Sequence, residues 1–138
     1  MNRYGLSFHH LGLAVSKPDF AEKFLQGIGY KIGERVYDPL QNVYLKMCDG
    51  SNHPPVELIF ASETAGPLDG ILKNHTEMIY HICYTTNNIS ESLQNISNDN
   101  IRTICISAPK PAVLFSGLQV AFYYVNGFGT VELIERAK

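Results

Sequence analysis

Apolar and polar residues alternate along much of this chain with the two-residue period of a β-strand. In residues 8–15, Leu11, Leu13 and Val15 fall on one face, and His10 falls on the other among small residues. Similar runs, rich in β-branched and aromatic residues, predict further strands at residues 30–37, 43–47, 56–61, 78–85, 101–107, 118–125 and 130–136.

Two segments have the spacing of helices instead. Their apolar residues recur every three or four positions: Phe20, Phe24 and Leu25 in the first, and Ile89, Leu93 and Ile96 in the second. Ser16 is a candidate N-cap for the first helix, with Pro18 in its first turn. Asn87 or Asn88 can cap the second.

The elements follow one order twice: strand, helix, strand, strand, strand. We expect a single domain over residues 1–138, with a first module at about 7–62 and a second at about 78–136. The connector, 63–77, contains Gly66-Pro67 and predicts a loop with a short helical turn. Within the second module, residues 108–116 contain two prolines and predict a loop.

The chain also repeats chemical groups at matching places. His10 opens the first module and His81 the second, 71 residues later. Glu57 and Glu132 stand in the closing Val-Glu-Leu-Ile segments of the two modules, 75 residues apart. A nearly constant offset indicates two copies of one supersecondary unit.

The strand period predicts that these four side chains share one face of the sheet. His10, Glu57, His81 and Glu132 each alternate away from the apolar positions that a helix would cover. If the two modules curl into a cup, the four point inward, where two carboxylates need a cation. Two imidazoles and two carboxylates suit Fe, Mn, Co, Ni or Zn, and the ligand set does not choose among these divalent metals.

Simpler interpretations stand beside this hypothesis. A single strand histidine is commonly a hydrogen-bonded core residue, and a single strand glutamate commonly faces solvent at a sheet edge. The alternation predicts that His9 points away from His10 and that Glu135 is a surface charge. The coincidence of all four positions in a repeated frame favours the metal site.

Composition narrows the function classes. The formal charge is −2 and there is no run of Lys or Arg, which argues against nucleic acid as a partner. The apolar stretches are far shorter than the ~20 residues that span a bilayer, so we expect no membrane partner. The N-terminus has no apolar signal region, and the three cysteines are irregularly spaced. We expect a cytoplasmic protein with reduced, mostly buried thiols.

With these motifs in place, the chain resembles the vicinal oxygen chelate superfamily, which includes glyoxalases, bleomycin resistance proteins and dioxygenases. Within it, the chain is most similar to methylmalonyl-CoA epimerase and its relatives. The resemblance covers residues 8–135 and is carried by four segments: Phe8–Val15, Gly66–Leu72, Ile79–Cys83 and Gly129–Leu133.

The resemblance implies an α+β fold in which two βαβββ modules form an incomplete barrel around a metal. It makes His10, Glu57, His81 and Glu132 the metal ligands. The implied function is a metal-dependent isomerase or epimerase that removes a proton α to a carbonyl of a small acyl substrate, with Glu132 and Glu57 as catalytic carboxylates. A glyoxalase I-type lyase, a ligand- or antibiotic-binding protein without catalysis, and an oxygen-activating enzyme are the alternatives.

Two departures from the epimerase pattern affect this expectation. Leu45 stands where some epimerases place a catalytic acid, which leaves Glu57, Glu132 or another group such as Tyr123 as the base. The segment 109–117 is apolar where epimerases tend to be basic, and this favours a substrate other than free methylmalonyl-CoA. For the binding alternative, the candidate pocket aromatics are Tyr37, Tyr44, Phe122, Tyr123 and Tyr124. The superfamily also leads us to expect a homodimer.

Overall fold

A computed structural model describes residues 2–138, which fall into two units. One unit consists of residues 10–80, and the other of residues 2–9 together with 81–138. The boundaries expected for the two modules and their connector stay a prediction.

The unit of residues 10–80 contains most of β1 (Ser7–Val15) and the elements that follow it. These are α1 (Pro18–Gly27), β2 (Tyr30–Ile32), β3 (Val36–Asp38), β4 (Val43–Gly50), β5 (Val56–Ala61) and α2 (Pro67–Ile71). The strand order is β2-β4-β5-β1, and β3 also pairs with β4. β1 and β5 are parallel, whereas β4 is antiparallel to its neighbours.

The second unit repeats this arrangement. Its elements are most of β6 (Glu77–Thr86), followed by α3 (Ile89–Asn98), β7 (Thr103–Pro111), a 3₁₀ turn (Val113–Phe115), β8 (Gln119–Val125) and β9 (Gly129–Glu135). The strand order is β6-β9-β8-β7, with β6 and β9 parallel and the other pairs antiparallel. The predicted order of strand, helix and three strands is therefore present in the second unit, and the first unit has the same order except that its second strand is divided into β2 and β3.

The first unit differs from the prediction in its second strand. Residues 30–37 were expected to form one strand, but the segment forms β2 and β3 with a break at 33–35. Gly33 crosses so close to β4 that a Cβ atom there would lie 2.4 Å from the carbonyl oxygen of Met47. Because β4 pairs with both short strands, the break does not end the sheet.

The second unit differs in the length of β7. The expectation of a loop over residues 108–116 is wrong for its first part, because β7 continues to Pro111 and Lys110 pairs with Val120. Register shifts between Cys105 and Lys110 interrupt the ladder. Prolines are tolerated here because β7 is the end strand of its unit. One side of β7 has no neighbouring strand, so an N–H group missing from that side removes no hydrogen bond of the sheet.

Each unit packs an apolar core beneath its long helix. In the first unit, Leu25 of α1 packs with residues of β1, β2, β4 and β5: Val15, Tyr30, Cys48, Val56, Leu58 and Phe60. In the second, Ile89 of α3 packs with Ala121, Tyr123, Val131 and Leu133. We call these sheet surfaces the helix-covered faces.

The first helix buries a narrower face than its apolar spacing predicts. Leu25 is buried, but Phe20 and Phe24 are 83% and 67% exposed. Its N-cap also differs from the expectation, because Lys17 occupies that position and makes no capping hydrogen bond through its side chain. The Ser16 amide instead donates to the carbonyl oxygen of Thr76.

Asn88 caps the N-terminus of α3 as predicted, and Glu135 provides a second hydrogen-bond acceptor there. The side chain of Asn88 accepts a hydrogen bond from the Glu91 amide. Glu135, which was expected to be a surface charge, accepts a hydrogen bond of 2.9 Å from the amide of Ile89. A carboxylate at a helix N-terminus is favourable because it faces exposed N–H groups and the positive end of the helix dipole. Among residues 2–138, no helix is long and apolar enough to cross a bilayer.

Candidate functional site

The first unit brings His10 and Glu57 together on neighbouring parallel strands. Glu57 of β5 is the register partner of Gly12 of β1. His10 lies two residues before Gly12, so its side chain is on the same face as that of Glu57. The Nε2 atom of His10 is 3.8 Å from Oε1 of Glu57. This face is opposite the helix-covered face, as the alternation predicts.

The second unit contains the same arrangement. Glu132 of β9 is the register partner of Cys83 of β6, and His81 lies two residues before Cys83. The Nε2 atom of His81 is 3.2 Å from Oε1 of Glu132. Each histidine therefore precedes the glutamate's register partner by two positions in both units. The offset noticed along the sequence corresponds to one local geometry that the chain builds twice.

All four side chains are buried. His10, Glu57, His81 and Glu132 are each at most 3% exposed, and each offers one atom suited to bind a metal ion. Transfer of a carboxylate from water to a protein interior is costly unless a hydrogen bond, an opposite charge or a metal compensates. Imidazole nitrogen and carboxylate oxygen are common ligands of divalent transition metals. By the chemistry of its donors, each His–Glu pair is suited to contribute ligands to such an ion.

The surroundings of Glu57 are apolar. Met47 of β4 is its direct antiparallel partner, and Leu45 is the partner of Ile59, two residues beyond Glu57. Leu45 is buried and shares the face of Glu57. The structure thus places Leu45 on the face of Glu57, and its aliphatic side chain has no group that can exchange a proton.

The surroundings of Glu132 are aromatic and aliphatic. Phe122 of β8 is the direct partner of Glu132, and its ring meets the His81 ring edge to face at 5.3 Å between centroids. The same face carries an apolar cluster of buried and partly buried residues: Cys83, Ala112, Phe115, Leu118, Val120, Phe122 and Ile134. We call this group the apolar wall of the second unit. It includes the 3₁₀ turn that follows β7.

The structure corrects the role considered for Tyr123. Tyr123 pairs with Val131 and packs with Leu133 and Ala121, so its ring is on the helix-covered face. Glu132 is on the opposite face of the same sheet, and Tyr123 therefore cannot act as a base beside it. Burial, together with nearby Cys105, raises the pKa of the Tyr123 phenol above its usual value.

The aromatic residues proposed for a pocket also separate by face. Phe122 is on the face of Glu132, whereas Tyr44 packs into the helix-covered core of the first unit. The Tyr37 ring meets the Tyr44 ring edge to face at 5.7 Å between centroids and is exposed on the surface. The prediction that His9 points away from the face of His10 is wrong, because its ring meets that of Phe115, in the apolar wall, edge to face at 5.3 Å and has a nitrogen within 4.8 Å of the Cys83 sulfur. No sequence pattern indicated this contact, because it depends on the turn after β7.

With this geometry established, comparison with known proteins identifies the family. The sequence profile of the glyoxalase/bleomycin resistance protein/dioxygenase superfamily matches residues 9–122. The chain belongs to this superfamily. No curated protein sequence matches the chain significantly.

Several solved structures of similar architecture support the fold of this superfamily member. A methylmalonyl-CoA epimerase from Mycobacterium tuberculosis is 16% identical with a TM-score of 0.73, over 97% of this chain and 89% of that one. A hypothetical protein from Bacillus halodurans C-125 is 21% identical with a TM-score of 0.77, over 96% of both chains. A methylmalonyl-CoA epimerase in complex with methylmalonyl-CoA and NH4⁺ is 18% identical with a TM-score of 0.67, over 96% and 95%.

These similarities confirm the expected α+β fold of the glyoxalase type and the superfamily inferred from the motifs. At such low identity, they establish the architecture of the superfamily member and not its reaction.

Proposed function

We propose that the two His–Glu pairs bind one divalent metal ion together, and that the protein is a metal-dependent isomerase or epimerase of acyl substrates. The observation that carries the proposal is the repetition of a buried His–Glu pair with one strand register in both units. A protein that needed only a folded core would have no reason to bury the same two ionisable side chains twice.

The donor set supports the metal part of this proposal. His10 and His81 would supply imidazole nitrogens, and Glu57 and Glu132 would supply carboxylate oxygens. Two imidazoles with two carboxylates suit Co, Ni, Zn, Mn or Fe and leave coordination positions for substrate. When bound, such an ion acts as a Lewis acid that polarises a carbonyl oxygen of the substrate.

The carboxylates are the groups in the set that can move a proton. Glu132 would remove the proton α to the carbonyl, so that a C–H bond breaks, an O–H bond forms and an enolate results. Glu57, protonated when the substrate binds, would give its proton to the same carbon, so that its O–H bond breaks, the C–H bond is restored and the two carboxyl groups exchange protonation states. Return to the opposite face inverts the stereocentre, and return elsewhere on the enolate isomerises the compound.

The apolar wall suggests the kind of acyl group. Phe122, Phe115 and Leu118 would contact the part of the substrate next to the carbonyl, and none of them can pair with a carboxylate. Similar folds are known from methylmalonyl-CoA epimerases, one of them from Streptomyces coelicolor in complex with 2-nitronate-propionyl-CoA. We therefore favour a thioester with an uncharged, apolar acyl chain over free methylmalonyl-CoA.

The experiment has two parts. First, elemental analysis of protein purified without a metal-affinity tag should find about one divalent ion per chain, absent from a His10→Ala/His81→Ala double variant. Second, the loaded protein should exchange the α-proton of propionyl- or butyryl-thioesters for deuterium in deuterium oxide, followed by NMR. Glu132→Gln should reduce exchange at least a hundredfold, since general-base catalysis typically contributes 10²–10⁴-fold. Full metal content with full exchange in Glu132→Gln would contradict the proposed role.

A binding protein without catalysis is the second candidate, and Leu45 favours it. This buried leucine gives the Glu57 face no additional acid where some epimerases have one. Saturable binding of an aromatic or acyl ligand without any α-proton exchange would support this candidate.

A glyoxalase I-type lyase can be tested in the same screen with hemithioacetals as substrates, because their turnover yields a product that thioesters cannot give.

A further inference from the structure

A cavity of about 330 Å³ lies in the second unit, beneath α3 and on the helix-covered face of the sheet. Its floor includes Tyr123, Val131 and Leu133, and Leu93 and Ile96 of α3 form one side. We call it the α3 cavity. Its residues all belong to the unit of residues 2–9 and 81–138.

The α3 cavity is separate from the proposed metal site. Val131 and Leu133 of its floor flank Glu132 along β9, and their side chains point to the opposite face of the sheet from Glu132. Phe122 and Tyr123 divide in the same way on β8. A molecule bound beneath α3 would therefore meet none of the four residues of the His–Glu pairs.

The chemistry of the walls is uniform. Every residue that lines the cavity is uncharged at neutral pH, and most of the lining consists of aliphatic and aromatic side chains. The phenol of Tyr123 stays protonated near neutral pH, because burial raises its pKa further above its ordinary value. No ion-pair partner for a charged ligand is present on these walls. The cavity is thus suited to an uncharged, apolar molecule.

One wall is formed by the N-terminal segment, through Tyr4 and Leu6. This segment is fixed by polar contacts to α3 and the residue after it: the Tyr4 hydroxyl bonds to Asp99, and Ser92 Oγ donates to the Tyr4 carbonyl oxygen at 2.8 Å. Arg3 and Asp99 add an ion pair at 2.8 Å. These contacts therefore fix the N-terminal segment against α3 and keep this wall of the cavity in place.

The mouth carries an exposed aromatic residue. Phe128, in the turn between β8 and β9, lines the cavity and is nevertheless 59% exposed. Its neighbours Gly127 and Gly129 have positive φ values of 80° and 125°, a region that glycine adopts at little cost. Phe128 thus offers apolar surface at the entrance, where it can cover a ligand.

We propose that the α3 cavity is a second ligand-binding site, for a small uncharged molecule of about the size of two fused aromatic rings. Apolar cavities of about 150 Å³ stay dry and bind benzene, and this cavity has roughly twice that volume. Ligand pockets in proteins begin at about 300 Å³.

The test uses the full chain and the neutral fluorescent probe N-phenyl-1-naphthylamine. We expect saturable binding of one probe per chain and displacement by naphthalene. Naphthalene-2-sulfonate, which has the same rings and a negative charge, should compete at least tenfold more weakly. Absence of saturable binding, or equal competition by the sulfonate, would overturn the proposal.

Leu93→Trp assigns the bound probe to the cavity. The sequence contains no tryptophan, so the new indole is a single reporter, and a blue-shifted emission would show that it fills the cavity. The variant should bind the probe at least tenfold more weakly, while Leu40→Trp, at an exposed position in the other unit, should bind like the wild type. If Leu93→Trp does not fold, Val125→Phe serves as the filling variant. Probe binding that survives filling but is lost in Phe122→Ala would place the probe on the other face and overturn the proposal.

Discussion

The Nε2 atom of His81 lies 3.2 Å from Oε1 of Glu132, and both side chains are buried. The equivalent atoms of His10 and Glu57 are 3.8 Å apart. If the two pairs bind one ion, loss of either histidine should remove all of it. We expect His81→Ala and His10→Ala each to abolish metal binding measured by elemental analysis.

Metal binding should also stabilise the folded chain, because an ion that binds only the native state shifts the unfolding equilibrium. At a free metal concentration of 100 times Kd, the gain is about 2.7 kcal/mol. Addition of a chelator should lower Tm in the wild type and in His75→Ala, an exposed histidine that serves as the control. The chelator should have no effect on the Tm of His81→Ala.

In the elemental analysis, retention of half the metal in either single variant would instead indicate that each His–Glu pair binds its own ion.

Glu135 should contribute to stability through α3 and not through catalysis. Its carboxylate accepts a hydrogen bond from the Ile89 amide at the first residue of the helix. We expect Glu135→Ala to cost about 1 kcal/mol in the free energy of unfolding, measured by urea denaturation, because the helix loses a partner for an amide and a favourable charge. Glu34→Ala, at an exposed position, should change stability by less than about 0.5 kcal/mol. Equal effects of the two substitutions would contradict the capping role.

Gly33 should not tolerate even a methyl group. Its amide donates to the carbonyl oxygen of Met47 at 2.8 Å, and a Cβ atom would lie 2.4 Å from that same oxygen. Gly33→Ala should destabilise the chain by about 1–3 kcal/mol, since two backbone segments must separate. Gly27→Ala is the control, because nothing lies within 4 Å of the added Cβ at this helical position. It should stabilise the chain by about 0.5–1 kcal/mol. An unchanged midpoint of urea denaturation for Gly33→Ala would contradict this prediction, because it would show that the two backbone segments separate without loss of stability.

The three free cysteines should differ in reactivity. Burial raises the pKa of the Cys48 thiol to about 11, so at pH 8 only about one molecule in a thousand carries the reactive thiolate there. Cys83 is also buried, whereas Cys105 is exposed. A disulfide reagent at pH 8 should modify one thiol per chain rapidly, and Cys105→Ser should remove that phase. Because a raised pKa keeps the Cys48 thiol protonated, its reaction should require unfolding or a pH near 11. Rapid modification of any thiol in native Cys105→Ser would contradict this.

The sequence by itself determined the repeated unit and the face on which His10, Glu57, His81 and Glu132 lie, although the same alternation placed His9 on the wrong face. Alternation has a period of two, so Leu11 and His10 must point to opposite faces of β1 whatever else the chain does. The same rule correctly separated Glu132 from Val131 and Leu133. The identity of the helices followed in the same way from their apolar spacing. These inferences depend only on local geometry, which neighbouring residues set.

Only the tertiary structure decided the features that depend on contacts between distant residues. The break at Gly33 follows from its close approach to Met47, and the continuation of β7 to Pro111 follows from pairing with β8. The role of Glu135 follows from the position of α3 above the end of β9. Tyr123 lies on the helix-covered face because β8 pairs with β9 in one register, and a shift by one residue would have exchanged it with Phe122.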